Sequence, residues 1–197
     1  MQGVLVVMAL PQESAGRFEA AGVPVLYTGV GKVNATYALA GALLRRRQAG
    51  EPVTAVLNLG TAGSVGWARG SVVGCARFIQ RDMDASPLGF PVGVTPFDAM
   101  PAELRCATEL PFLPAGRCAS GDSFVTSGVA QAGDVLDMEA FALARVCIGE
   151  AVRFACAKYV TDGADSEAAA TWTGGVQAGA DALLDVYRRY AKDFPPA

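Results

Sequence analysis

The 197-residue chain contains no histidine. That absence removes a Ser-His-Asp or Cys-His nucleophile system, a histidine general base and the usual histidine zinc sites. Acid–base chemistry near neutral pH therefore falls mainly to carboxylates. Charge is scarce as well: Asp, Glu, Lys and Arg make up 18% of the chain, and the formal net charge is −3. The longest basic run is Arg45–Arg47, behind the apolar face of an expected helix, so nucleic acid is not an expected partner. No uninterrupted 18-residue apolar run occurs, which argues against a transmembrane helix and a membrane partner. The N-terminus enters directly into a strand-like run without a basic region or cleavage site, so no signal peptide is expected. Five cysteines (Cys75, Cys106, Cys118, Cys147, Cys156) are scattered through apolar surroundings without a CxxC pair. They read as reduced core residues in a cytoplasm, not as a disulfide framework or metal site.

What the chain has instead is apolar bulk. Hydrophobic residues make up 52% of it, enough for one domain over residues 1–197 with a sizeable core. Gly3–Ala9 (GVLVVMA) reads as a strand buried on both faces. It ends at Leu10-Pro11, and Gln12, Glu13 and Ser14 follow in a loop or first helical turn. Glu13 is either an ordinary exposed acid near a helix start or a functional one. Pro24–Gly29 is a second strand, closed by Gly29-Val30-Gly31, and Lys32–Arg47 a long helix. The GxG lacks the third glycine of a dinucleotide fingerprint, since Asn34 stands there, and Lys32 has no phosphate-loop context. A tight strand-to-helix turn is the preferred reading. Thr54–Leu59 is a third buried strand, followed by a small-residue loop, Gly60–Ser64. Such a loop is either a plain turn or a place where backbone comes close to a ligand.

Ser71–Ile79 and Arg153–Val160 read as further strands, and a final helix is expected from about Ala178 to Lys192, before a Pro195-Pro196 tail. Residues 81–101 are loop-like: a substrate rim, a subunit contact or plain loop. Val135–Cys147 (VLDMEAFALARVC) organises the rest. It opens as a short strand, meets Asp137 and Glu139 on either side of Met138, and continues as a helix with Ala140, Leu143, Ala144 and Cys147 on one face. Asp137 and Glu139 have a bland explanation as helix cap and dipole complement. The alternation of strands and helices predicts an α/β sandwich with a largely parallel or mixed sheet, whose ligands gather at the carboxyl ends of strands. Glu13, the Gly60–Gly63 segment, Phe124, Glu139 and Asp162 all fall just after strands.

Six segments, in order, carry a resemblance: ALPQES (9–14), GVGKV (29–33), NLGTAG (58–63), SGDSFV (120–125), DMEAFALARVC (137–147) and TDGAD (161–165). The chain resembles the purine nucleoside phosphorylase/uridine phosphorylase superfamily, and most of all its 5′-methylthioadenosine/S-adenosylhomocysteine nucleosidases. The resemblance implies a three-layer αβα sandwich around a central mixed sheet, a purine nucleoside as ligand, no cofactor or metal, and a homodimer with the pocket near the interface. It implies Glu13 as the base that activates water, Asp162 as the acid that protonates the purine, and Glu139 with Met138 as the ribose grip. Phe124 would stack on the base, the Val125 backbone would meet its edge, Gly63 would approach the ligand and Thr161 would belong to the purine site. Breaking an N-glycosidic bond leaves an electron-poor sugar and an anionic purine, so an acid on one side and a water-activating carboxylate on the other suit the reaction. Trp172 either closes the pocket or is simply buried. Two positions depart from the family pattern: Thr161 stands where the nucleosidases usually carry serine, and Lys158 where many carry arginine.

Overall fold

The computed structural model describes residues 3–106, 110–126 and 134–193. Most of the short segment between Val125 and Val135, and the Pro195-Pro196 tail, lie outside the described residues. Eight strands are described: β1 (Val4–Met8), β2 (Val25–Tyr27), β3 (Ala55–Gly63), β4 (Val72–Gln80), β5 (Glu103–Arg105), β6 (Ala115–Ser120), β7 (Asp134–Asp137) and β8 (Arg153–Asp162). With them go helices α1 (Pro11–Ser14), α2 (Arg17–Ala20), α3 (Lys32–Gln48), α4 (Ala140–Gly149) and α5 (Ala168–Asp193). The strands form one mixed sheet in the order β2-β1-β3-β7-β6-β4-β5, with β8 pairing to both β3 and β4. Strands β3, β8, β4, β6 and β7 thus close a circuit, since β7 returns to β3 through Gly63 and Leu136. Closure removes free edges there. It also brings the carboxyl ends of β3, β6, β7 and β8 to one end of the circuit.

Alternation along the strands divides the core. Val7, Val56, Phe154, Cys156 and Val160 pack in one apolar cluster with Leu39 and Leu43 of α3 and Leu143 and Cys147 of α4. Val6, Met8, Leu57, Leu59, Ala155 and Ala157 pack in a second with Phe18 of α2 and Leu183, Val186 and Tyr190 of α5. Helix α3 supplies its share through Ala35, Leu39, Ala42 and Leu43, one buried stripe at helical spacing. Asn58, buried between the clusters, donates from Nδ2 to the Val7 carbonyl at 3.2 Å and accepts from the Cys156 thiol at 3.3 Å. A polar side chain in an apolar strand is thereby satisfied.

Three segments differ from the sequence expectation. Gly60–Ser64 is not a loop, because β3 runs on to Gly63 while β8 pairs with it from Ala55↔Arg153 to Gly63↔Asp162. The short strand β5, pairing with β4, follows the 81–101 loop, which itself holds a 3-10 turn at Ser86–Leu88. Helix α5 begins ten residues earlier than expected, at Ala168. Gly174, Gly175 and Gly179 weaken the helical pattern of that segment, because glycine costs helix stability. Packing overrides the propensity: a Cβ on Gly179 would lie 2.8 Å from the Tyr159 ring, and one on Gly175 would lie 3.4 Å from Thr161. The glycines let α5 lie close on β8.

This sets the sign of a substitution. Gly179→Ala gains about 1 kcal/mol of helix propensity in an open helix. Here the clash with Tyr159 outweighs it, and urea unfolding of the variant is expected to show a net loss of about 1–2 kcal/mol. A gain in stability would mean that the helix does not sit against Tyr159.

Candidate active site

At the carboxyl ends of β3, β7 and β8 lies a cavity of about 400 Å³. Four carboxylates line it (Glu13, Asp137, Glu139 and Asp162) against one basic residue, Arg81. Apolar surfaces from Leu10, Val30, Phe124, Leu136, Met138 and Trp172 complete most of the wall. Among the described residues, no group of three His, Cys, Asp or Glu side chains is placed to hold a metal ion.

Glu13 is buried at 4% exposure, not the exposed acid that its local sequence allowed. It belongs to the one-turn helix α1, whose Pro11 starts the turn and whose Ala15 ends it at φ 45°. The turn folds the side chain back onto its own entrance: Oε2 accepts from the Ala9 and Leu10 amides at 3.0 and 3.1 Å. Oε1 accepts from the Thr61 amide at 2.7 Å and the Thr61 hydroxyl at 2.9 Å. Room for this carboxylate depends on Gly60, where a Cβ would come within 2.9 Å of Oε1.

Asp137 and Glu139 divide the two roles that their spacing left open. Asp137 caps α4 from three residues upstream, accepting from the Ala140 amide at 2.8 Å. It also receives the Ser120 hydroxyl at 2.5 Å and the Lys158 ammonium at 2.8 Å. Both ions are buried. Burial works to raise the carboxyl and lower the ammonium. Their mutual attraction, aided by the Ser120 and Ala140 bonds to the carboxylate, outweighs it. Asp137 ends below its usual pKa and Lys158 well above.

Glu139 is the residue before α4, and its Oε1 accepts from the Gly31 amide at 2.8 Å. The GxG turn thus contributes an amide to the cavity as well as starting α3. Burial first, and then the nearby Asp137 charge, push Glu139 up to about 7, against the lowering pull of Lys158 and the Gly31 amide. Donors such as sugar hydroxyls would favour its ionised form.

Asp162 ends β8. Its Oδ1 accepts from the Ala164 amide at 3.0 Å and its Oδ2 from the Thr161 hydroxyl at 2.8 Å. Gly63 faces it, since a Cβ there would lie 2.5 Å from Oδ1. Of the residues singled out in the sequence, Glu13, Gly63, Phe124, Val125, Met138, Glu139 and Asp162 share this one cavity. Thr161 does not line it; its side chain points to Asp162 and the Ala62 carbonyl, and it acts as a support. Phe124 is 47% exposed at the cavity edge, so its ring is not a core aromatic. Asp165 is exposed and serves its own turn, accepting from the Glu167 amide and pairing with Arg69.

Two wall residues escaped the sequence reading. Val30 sits inside the GxG turn and had no chemistry to mark it. Arg81 directly follows β4, at the start of the stretch read as a substrate rim, a subunit contact or plain loop. Its guanidinium donates to the Gly121 carbonyl, the Ser123 hydroxyl and the Ser123 carbonyl, so it holds the segment that carries Phe124. The alternation of β4 was visible, but nothing marked the residue after it.

A family model described as the phosphorylase superfamily matches residues 14–194, and the chain belongs to that superfamily. No curated protein matches the sequence. Among solved structures, a Helicobacter pylori 5′-methylthioadenosine/S-adenosylhomocysteine nucleosidase is similar with a TM-score of 0.85 at 21% identity, over 98% of this chain and 99% of that one. A futalosine hydrolase of the same organism gives 0.85 at 21%, over 98% of each chain. An S-adenosylhomocysteine nucleosidase of Streptococcus pyogenes, in complex with 5-methylthiotubericidin, gives 0.83 at 18%, over 98% and 97%.

The position of Glu139 sets a pH-dependent stability. Its usual value is 4.5 and its value in the folded chain about 7. Below about 4.5 both states hold the proton; between the two values the unfolded chain ionises first, so rising pH favours unfolding, and above about 7 the full cost is present. Glu139→Gln removes that cost. Urea titration is expected to show the variant more stable than the parent by up to about 3 kcal/mol near pH 8 and equal to it near pH 4.5. A gap that does not change with pH would contradict the raised value.

Proposed function

We propose that the protein is an N-glycosidase that hydrolyses a 5′-substituted adenosine of the 5′-methylthioadenosine/S-adenosylhomocysteine type, releasing the base. The single observation behind this reading is the convergence of Glu13, Glu139 and Asp162 on one cavity with apolar walls. Glu13 takes a proton from the attacking water. Asp162 gives one to the purine as the bond to the sugar breaks, neutralising the leaving base. Glu139 accepts from the ribose hydroxyls and, once ionised, stabilises positive charge developing on the sugar. Met138 packs against the sugar, and Phe124 and Val125 enclose the base. The similar folds are those of nucleosidases and of a futalosine hydrolase, which supports the substrate class.

Hydrolysis is favoured over phosphorolysis by the charge of the wall. Four carboxylates face the cavity, its basic residue Arg81 is engaged by loop carbonyls, and Lys158 beneath it is paired with Asp137. A phosphate dianion would meet one cation, Arg81, among the described lining residues, and that guanidinium already gives N–H groups to Gly121 and Ser123. The equal similarity to a futalosine hydrolase keeps the 5′-group open, so futalosine belongs in the substrate panel. The three-layer αβα arrangement is the finer architectural reading, supported by the two apolar clusters and their separate sets of helices.

The same reading includes a homodimer. Val33, Tyr37 and Leu44 are exposed at 78%, 84% and 52% on one face of α3, and Val30 at the head of that stripe is in the cavity wall. Such a stripe beside the site suits a partner copy. Tyr37→Asp is expected to shift the protein toward monomer in sedimentation velocity; an unchanged sedimentation coefficient would remove α3 from the interface.

The function is tested by free adenine released from 5′-methylthioadenosine and S-adenosylhomocysteine, and free base from futalosine, each with and without phosphate. Phosphate-independent release is expected, slowed about 100-fold or more by Asp162→Asn. Release only with phosphate would make the protein a phosphorylase. Tight binding without turnover would make it a nucleoside-binding protein.

A further inference from the structure

Four hydrogen-bond donors converge on the carboxylate of Glu13, two at each oxygen. Three are backbone amides, of Ala9, Leu10 and Thr61, and these cannot turn without moving the chain. The fourth is the Thr61 hydroxyl, which rotates about a single bond. What holds it is an indole from helix α5. Trp172, in the second turn of α5, donates from Nε1 to the Thr61 oxygen at 3.1 Å. An indole nitrogen is a donor only, so the hydroxyl must accept there and has its own proton left to give. Glu13 Oε1, at 2.9 Å, takes it. The chain Trp172 → Thr61 → Glu13 therefore has one direction, and each member depends on the one before.

We propose that Trp172 is a positioning residue for Glu13, acting through the Thr61 hydroxyl to hold the carboxylate in its orientation toward the cavity. The proposal rests on Glu13 being the base of the reaction proposed above. Trp172 also lines the cavity, so a ligand that packs on its ring bears on the same chain. Helix α5 thereby contributes to the reaction although none of its residues is an acid or base in the cavity wall.

The test is a double-mutant cycle on 5′-methylthioadenosine cleavage. Trp172→Phe keeps a ring against the cavity and removes only the N–H donor; Thr61→Val keeps the shape and removes the hydroxyl. Each is expected to lower kcat by about three- to tenfold, as for one lost hydrogen bond, with KM within about twofold. The double variant is expected to be no slower than Thr61→Val, because the two residues act in series. Losses that multiply, or that fall on KM, would overturn the proposal and leave Trp172 as a packing residue. Glu13→Gln separates the two readings: full activity in that variant would overturn Glu13 as the base. A second measurement needs no turnover. The chain has two tryptophans, hence two indole N–H signals by NMR, and Trp172→Phe identifies one of them. Thr61→Val and Glu13→Gln are both expected to move the Trp172 signal and leave that of Trp67 in place. A Trp172 signal unmoved by either would overturn the chain of bonds itself.

Discussion

The buried ion pair between Lys158 and Asp137 is the interaction on which the site depends. It joins the middle of β8 to the end of β7 at 2.8 Å, inside the closed circuit of strands. A pair of this kind adds little net stability when intact, because desolvation offsets attraction. Losing one partner leaves the other charged, buried and alone, at a cost of about 3–5 kcal/mol. The pair therefore acts less as glue than as a constraint on geometry. With Lys158 and Ser120 in place, Asp137 sits where it can cap α4, and the cap sets where Glu139 emerges. Lys158 also opposes the upward push of burial on Glu139, so the same cation places one carboxylate and tunes the next.

Small residues make this density of charge possible. Gly60 gives way to Glu13, and Gly63 to Asp162. Gly31 presents its amide to Glu139 at φ 96°, a backbone conformation that side-chain-bearing residues rarely adopt. At Gly60 and Gly63 the missing side chain leaves space for a carboxylate of another segment. The acids are thus brought close to backbone amides, which satisfy their oxygens.

The limits of the sequence are physical and can be located. Strands β1 and β3 were legible because a near-continuous apolar run leaves few alternatives. The family was legible from six short segments in order. The length of β3 was not: its glycines look like a turn unless the partner strand is known, and pairing with β8 decides otherwise. The start of α5 was hidden for the same reason, since three glycines weaken the helical pattern, and only contact with Thr161 and Tyr159 explains two of them, Gly175 and Gly179. Arg81 was not singled out within a stretch that could be a substrate rim, because its partners are carbonyls some forty residues away, at Gly121 and Ser123.

By itself the sequence determined which chemistry is open to this protein. Without histidine, and with carboxylates placed after strands, acid–base work near neutral pH falls mainly to groups such as Glu13, Glu139 and Asp162. Which carboxylate does what was decided by tertiary structure alone. Asp137 and Glu139 stand two residues apart in similar local sequence, yet one pairs with a buried lysine and falls below its usual pKa, while the other meets an amide and rises to about 7. The reason is that a charge is set by everything within a few ångströms of it, and for a buried group those neighbours come from distant parts of the chain.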